Sequence, residues 1–290
     1  MSDQITTAFV QQYTTNLEFL LQQMGSKLRP YVMQQAFQGK AAKAIEQIGQ
    51  IAAQKRTSRH ADTPLISTPH DARWIFPLDY EAADLIDDQD RLRMLINPDS
   101  MYAMNQAMAI GRAMDDEIIT RALGTAKTGE NGTTSTAFDT TNQQIAAGSA
   151  GLTVTKLREA RKILMSNEVD VDMDPLFIIV TAAQIDDLLN STQVTSADYN
   201  SVRALVSGEV DTFVGFKFIH CERLGVDGSS NRRVIAYAKS GLHFGTWKEI
   251  STRMTERADK SYATQVYACS TFGATRAEEG KVVEILCAES

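Results

Sequence analysis

The chain has 290 residues, 43% of them hydrophobic, enough to bury the core of one large domain or two coupled ones. Its 17 Gly and 6 Pro exclude a collagen-like or low-complexity chain. With 29 Lys and Arg against 36 Asp and Glu, the net charge of -7 argues against a dedicated nucleic-acid binder and leaves nucleic acid only as a weakly touched neighbour.

Phe9, Tyr13, Leu17, Leu20, Leu21, Met24 and Leu28 recur at helical spacing, and Pro30 interrupts them. Residues 32–53 are rich in Gln and Ala and place Phe37, Ala41, Ala44, Ile48 and Ile51 on one side, which predicts a second helix. Such a striped segment either packs on its own domain or acts as an arm on a neighbouring copy. From 55 to 80 the character changes: Lys55, Arg56, Arg59 and Arg73 sit among Pro64, Pro69 and Pro77. Prolines at this density argue against a helix or a central strand. Yet Leu65, Ile66, Trp74, Ile75 and Phe76 are apolar. The segment predicts an extended, two-legged excursion with one basic side, and Trp and Phe on such a loop require a cover.

Asp79, Glu81, Asp84, Asp87, Asp88 and Asp90 come next, then Arg91 and Arg93. Their spacing lacks the Gly and terminal Glu of a calcium loop, so they read as a solvated or ion-paired face. Asn97–Ser100 is a helix start and Gly124 a stop. Between them Met104, Met108, Met114, Ile118, Ile119 and Leu123 predict a long helix with a core-facing stripe. Residues 125–150, rich in Gly, Thr, Ser and Asn, predict a flexible loop or hairpin.

Leu157, Ala160 and Leu164 mark another helix, ended by Asp174-Pro175. Leu176–Val180 is a short apolar run typical of a buried strand, and Thr181–Gln184 has the form of a capping box opening a helix through Leu189. Further strands are predicted over 213–221, 233–238, 247–256, 262–272 and 281–287, with a turn at Asp227–Ser230. The pattern is α+β, helices first and strands later.

Catalytic patterns are missing. There is no nucleophile elbow, phosphate loop or dinucleotide fingerprint. His60, His70, His220 and His243 are dispersed, and adjacent His220 and Cys221 would face opposite sides of a strand. Asp186 and Asp187 fall near a helix start, where carboxylates suit the dipole. Cys221, Cys269 and Cys287 are odd in number and lack metal-type spacing, which suggests a reducing compartment. No signal-peptide pattern opens the sequence, and no stretch approaches the roughly 18 apolar residues that span a bilayer. No enzyme activity, cofactor, metal or membrane contact is therefore expected. Because sites can assemble from distant residues, a hydrolase using Ser, His and Asp remains a rival.

An ordered set of short strings resembles the major capsid proteins of tailed bacteriophages, particularly those of short-tailed phages and related prophages. The strings are Asp62–Pro64, Thr68–His70, Arg73–Pro77, Ala83–Asp90, Gly111–Ile118 and Gly124–Glu130, then Thr195–Tyr199, Gly208–Val210 and Gly215–Phe218. Asp259–Tyr267, Gly273–Arg276, Glu278–Glu279 and Val282–Ile285 complete the set. They run from about residue 60 to the C-terminus; the first 50 residues match only in being helical.

The resemblance implies a Hong Kong 97-type capsid fold. Residues 1–53 would be a helical arm, 54–80 an extended loop, and 81–170 a peripheral domain with a spine helix at 100–123. Residues 171–245 would form an axial domain, and 246–290 strands returning through both domains. It also implies self-assembly into pentamers and hexamers of an icosahedral shell around double-stranded DNA, touched weakly and without sequence preference. The implied setting is a virion put together in the host cytoplasm, with portal and scaffolding or decoration proteins as partners. On that reading a neighbouring copy covers Trp74, Ile75 and Phe76. Arg56, Arg59 and Arg73 pair across copies with Asp84, Asp87 and Asp88. A tail-tube or scaffolding protein is the rival within phage structural proteins.

Overall fold

The computed structural model describes residues 22–56, 58–59, 62–63, 65–86, 99–190 and 212–289. They group into two compact units. One comprises the described residues of Met1–Gly25, Tyr80–Arg112 and Ile250–Ser270; the other comprises those of Ser26–Asp79, Ala113–Glu249 and Thr271–Ser290.

The larger unit is built on a six-stranded sheet in the order β7-β14-β11-β8-β10-β9. These strands are β7 (Gln144–Ile145), β8 (Leu176–Val180), β9 (Thr212–Phe213), β10 (Phe216–His220), β11 (Asn231–Ala238) and β14 (Val282–Ala288). All five residues of β8 are buried, which is why its sequence is a continuous apolar run. β10 pairs with β8 in parallel, and β11 pairs antiparallel with both β8 and β14. Helix α2 (Val154–Ser166) starts at Thr153, whose side chain accepts the Lys156 amide, and it buries Leu157, Ala160 and Leu164. It ends well before Asp174-Pro175, because Glu168 adopts a left-handed conformation and the Val169 amide turns back to Leu164 O at 3.2 Å. Helix α3 (Ala182–Leu189) has the expected capping box of Thr181 and Gln184.

Two buried charges at this sheet are paired. The Lys156 ammonium donates to four backbone carbonyls, those of Ala147, Ala150, Gly151 and Leu286, at 2.7–2.9 Å. Glu284, fully buried, accepts from Arg233 and from Gln144 Nε2. Burial lowers the Lys156 pKa and pushes the Cys287 thiol up to about 12.

A second sheet of the same unit has the order β2-β3-β5-β6, formed by β2 (Ala42–Ile48), β3 (His70–Ile75), β5 (Ala126–Thr128) and β6 (Thr134–Thr136). The Gly-rich segment after residue 125 is therefore a hairpin, its turn using positive φ at Gly129 and Gly132. The long helix α1 (Asp99–Leu123) matches the predicted span. In the larger unit its last turns bury Met114, Ile118 and Ala122. Its buried Asp115 accepts from Ser26 Oγ at 2.5 Å and from the amides of Lys27 and Leu28 at 2.9 and 3.1 Å.

The third sheet has the order β1-β12-β13-β4, from β1 (Met33–Ala36), β4 (Leu78–Ile86), β12 (Leu242–Arg257) and β13 (Ala263–Arg276). Within the smaller unit, Gln106 Nε2 of α1 donates to Val266 O at 3.0 Å and Tyr267 OH to Glu81 Oε2 at 3.1 Å. Ile110, Val266 and Ala268 are buried there.

Two expectations are corrected. The helix predicted over 32–53 is instead β1 and β2, held by pairing with β12 and β3; partners far away in sequence override the helical bias of a Gln- and Ala-rich stretch. The earlier helix falls mostly outside the described residues, and 22–28 carry no helix. The prolines do not bar a central strand either: β3 fits between Pro69 and Pro77.

Candidate assembly surfaces

β2 and β3 form an antiparallel ribbon from Ala42↔Ile75 to Ile48↔His70, with a register shift between Lys43 and Ile45. The Gly49 amide closes its end by donating to Pro69 O at 2.8 Å. Beyond that point the described residues to Thr68 have no regular structure and almost all are exposed. Leu65 is 99% exposed, and Ile66 next to it and Ile51 earlier in the same stretch are exposed as well. Their backbone has no ladder to join, and their apolar side chains have no cover from their own unit. This is the excursion expected from the proline-rich stretch.

The base of the excursion is closed. Arg73 is 5% exposed: Nε donates to Ala277 O at 2.8 Å and Nη2 to Glu279 Oε2 at 2.6 Å. Gln47 Nε2, on the other leg, donates to the same Ala277 carbonyl at 2.7 Å. Trp74 Nε1 donates to Gly129 O at 2.7 Å, and its ring sits against Gly132, where an added Cβ would stand 2.8 Å from Trp74 Cγ. Ile75 is wholly buried, while Phe76 is 44% exposed. The predicted apolar patch is thus split: Ile75 belongs to the interior, Trp74 is seated on the β5–β6 hairpin, and Phe76 faces outward.

The predicted charges separate as well. Arg56 and Arg59 are exposed on the excursion, Arg56 donating to Ser58 O at 2.8 Å. Arg73 takes its carboxylate from its own chain, so the expected surface cation is an interior one. Asp84 is exposed on β4, its carboxylate accepting the Leu85 amide. Asp87 and Asp88 lie outside the described residues. Sequence reasoning missed Glu279, Ala277 and Gln47. Glu279 lies 206 positions from Arg73, and nothing local announces the pairing.

The histidines stay apart in role. His220 Nε2 is 2.6 Å from Glu222 Oε1, which also accepts the Ala182 amide at the start of α3. Burial, then the neighbouring Lys281 charge, lowers the His243 pKa. Among the described residues no group of three or more His, Cys, Asp or Glu is placed to hold a metal ion, and no helix is long and apolar enough to cross a membrane.

The sequence matches the model of the phage capsid protein family over residues 5–289. Its fold is similar to the capsid structure of cyanophage P-SCSP1u, with a TM-score of 0.75 at 13% identity over 99% of this chain and 95% of that one. It is also similar to the capsid subunit of cyanophage Pam1 (0.72, 12%, 98% and 97%) and to the capsid of a native GTA particle (0.72, 11%, 98% and 96%). No curated protein matches in sequence. At such identities the likeness speaks for the fold, and it agrees with the α+β, Hong Kong 97-type expectation. With its match spanning nearly the whole sequence, the chain belongs to the phage capsid protein family.

Proposed function

We propose that this chain is a major capsid protein whose copies form the pentamers and hexamers of an icosahedral shell around a double-stranded DNA genome, each copy laying its excursion onto a neighbour. The exposed Leu65, with Ile51 and Ile66 near it in sequence, carries this reading. Apolar side chains on a segment without regular structure are a surface prepared for burial. Contacts of this kind, repeated around closed rings, add through avidity although each is weak.

In this reading β2, β3 and the segment between them are the extended loop, α1 is the spine helix and the six-stranded sheet is the axial domain. Arg56, Arg59 and Phe76 join the contact, and Asp84, Asp87 and Asp88 offer the opposite charge on another copy. Such pairs set register more than affinity. The net charge of -7 suits a wall that touches packaged DNA weakly and releases it. Portal and scaffolding or decoration proteins would complete the particle, assembled in the host cytoplasm.

The test is assembly of Leu65→Asp with Ile66→Asp, monitored by light scattering and electron microscopy. The expected result is a subunit that melts like the parent and forms no shells. Normal shells from the double variant would remove the excursion from the contact.

A further inference from the structure

The interior below the excursion holds an imbalance of charge. Arg276 is wholly buried and donates from Nη1 to Ala122 O and Gly124 O, at 2.9 and 2.7 Å, at the end of α1. Its guanidinium lies 5.3 Å from the Phe138 ring centroid. Glu279 stands between this arginine and Arg73: Oε2 is 2.6 Å from Arg73 Nη2, and Oε1 is 3.4 Å from Arg276 Nη2. One carboxylate therefore serves two arginines, well for one and loosely for the other. Arg73 Nη1 and Arg276 Nε are both buried without a hydrogen-bond partner. A buried charge that is half satisfied makes a local structure sensitive to small changes.

The same place ties down both legs of the ribbon. Gln47 of β2 and Arg73 of β3 converge on the Ala277 carbonyl, and the Ala277 amide donates to Gly241 O at 2.8 Å. Above Gly49 and Pro69 no backbone bond holds the described excursion to itself. The two legs are thus joined at this point, beside the pairing of β3 with β5.

We propose that Glu279 is a positioning residue for assembly: by clasping Arg73 while sharing Arg276, it aims the excursion relative to the end of α1 around a pivot at Ala277. This rests on the proposed role of the excursion as an inter-copy contact. Glu279 touches no neighbour; it acts through Arg73.

Charge arithmetic gives a test that an ordinary structural contact would not pass. Glu279→Gln leaves two buried guanidinium charges without a counter-charge; adding Arg73→Gln removes one of them. The expected single variant melts lower by more than about 5 °C, is cut by trypsin at Lys55, Arg56 and Arg59 about tenfold faster, and assembles about tenfold more slowly. The double variant should regain part of the lost melting temperature while its cleavage stays fast and its assembly slow. Glu279→Asp keeps the charge with a shorter reach and should fold with intermediate cleavage, which serves if Glu279→Gln does not fold. A double variant less stable than Glu279→Gln would overturn the clasp. Fast cleavage of Glu279→Gln with parental assembly would leave the clasp standing and overturn the excursion's part in the contact, sinking the positioning role with it.

Discussion

In the six-stranded sheet every residue of β8 and the run Val234–Ala238 of β11 are closed to solvent, and the buried Lys156 and Glu284 have their partners within reach. In the β2–β3 ribbon of the same unit, β2 hides little beyond Ala42, the interior begins only at Ala72, and the described residues just past Ile48 are open to solvent. β8 is a continuous apolar run, whereas the ribbon and the stretch beyond it set single apolar residues among charges and prolines. They also differ in where the apolar residues find partners: the sheet supplies its own, and the described excursion leaves Ile51, Leu65 and Ile66 exposed. If a second copy completes the excursion, as proposed, burial is what separates it from a region that folds by itself.

The sharpest way to break this contrast is Ile235→Ala. A fully buried central strand should lose about 3 to 4 kcal/mol, read by urea unfolding of the subunit. A loss under about 1 kcal/mol would mean that the sheet is not self-sufficient. Lys156→Met comes next, at about 2 to 3 kcal/mol, since four carbonyls lose their donor. It also carries a signature in pH. Burial lowers the Lys156 pKa below 10.5, so the unfolded chain holds that proton more tightly than the folded one. Parental stability should therefore rise as pH climbs through the folded-state value toward 10.5, and Lys156→Met should lack that slope.

Gly132→Ala has a smaller expected effect, about 1 to 2 kcal/mol, because φ is +66° and the new methyl meets the Trp74 ring. Trp74→Ala should cost a similar amount through its lost bond to Gly129 O. The smallest change in the subunit is expected from Phe76→Ala, under about 0.5 kcal/mol. If Phe76 lies in the contact, shell formation should nevertheless slow, measured by light scattering at fixed concentration. Equal loss of stability and assembly in Phe76→Ala would erase the distinction between the two regions.

Much of the fold was legible where partners are near or the pattern is strict. The apolar stripe of α1, the run Leu176–Val180 and the Thr181–Gln184 box are local signals, and each element stands where its residues place it, although Met104 at the start of the stripe is exposed. The stretch 32–53 misled because its Gln and Ala favour a helix, while its strands are held by residues 70–75 and 243–246. For the contact surface, the isolated apolar residues among prolines showed that an excursion exists. They did not show which of its residues turn inward. Arg73 is interior because Glu279 and Ala277 wait two hundred positions downstream, and Ile75 lies against Gly273, separations that no window of sequence reveals.

Among the described residues the outermost strands of the six-stranded sheet, β7 and β9, are two residues long. A border so brief offers a stray chain almost nothing to zip onto. The sheet therefore gives separate copies little drive to fuse edge to edge into fibrils.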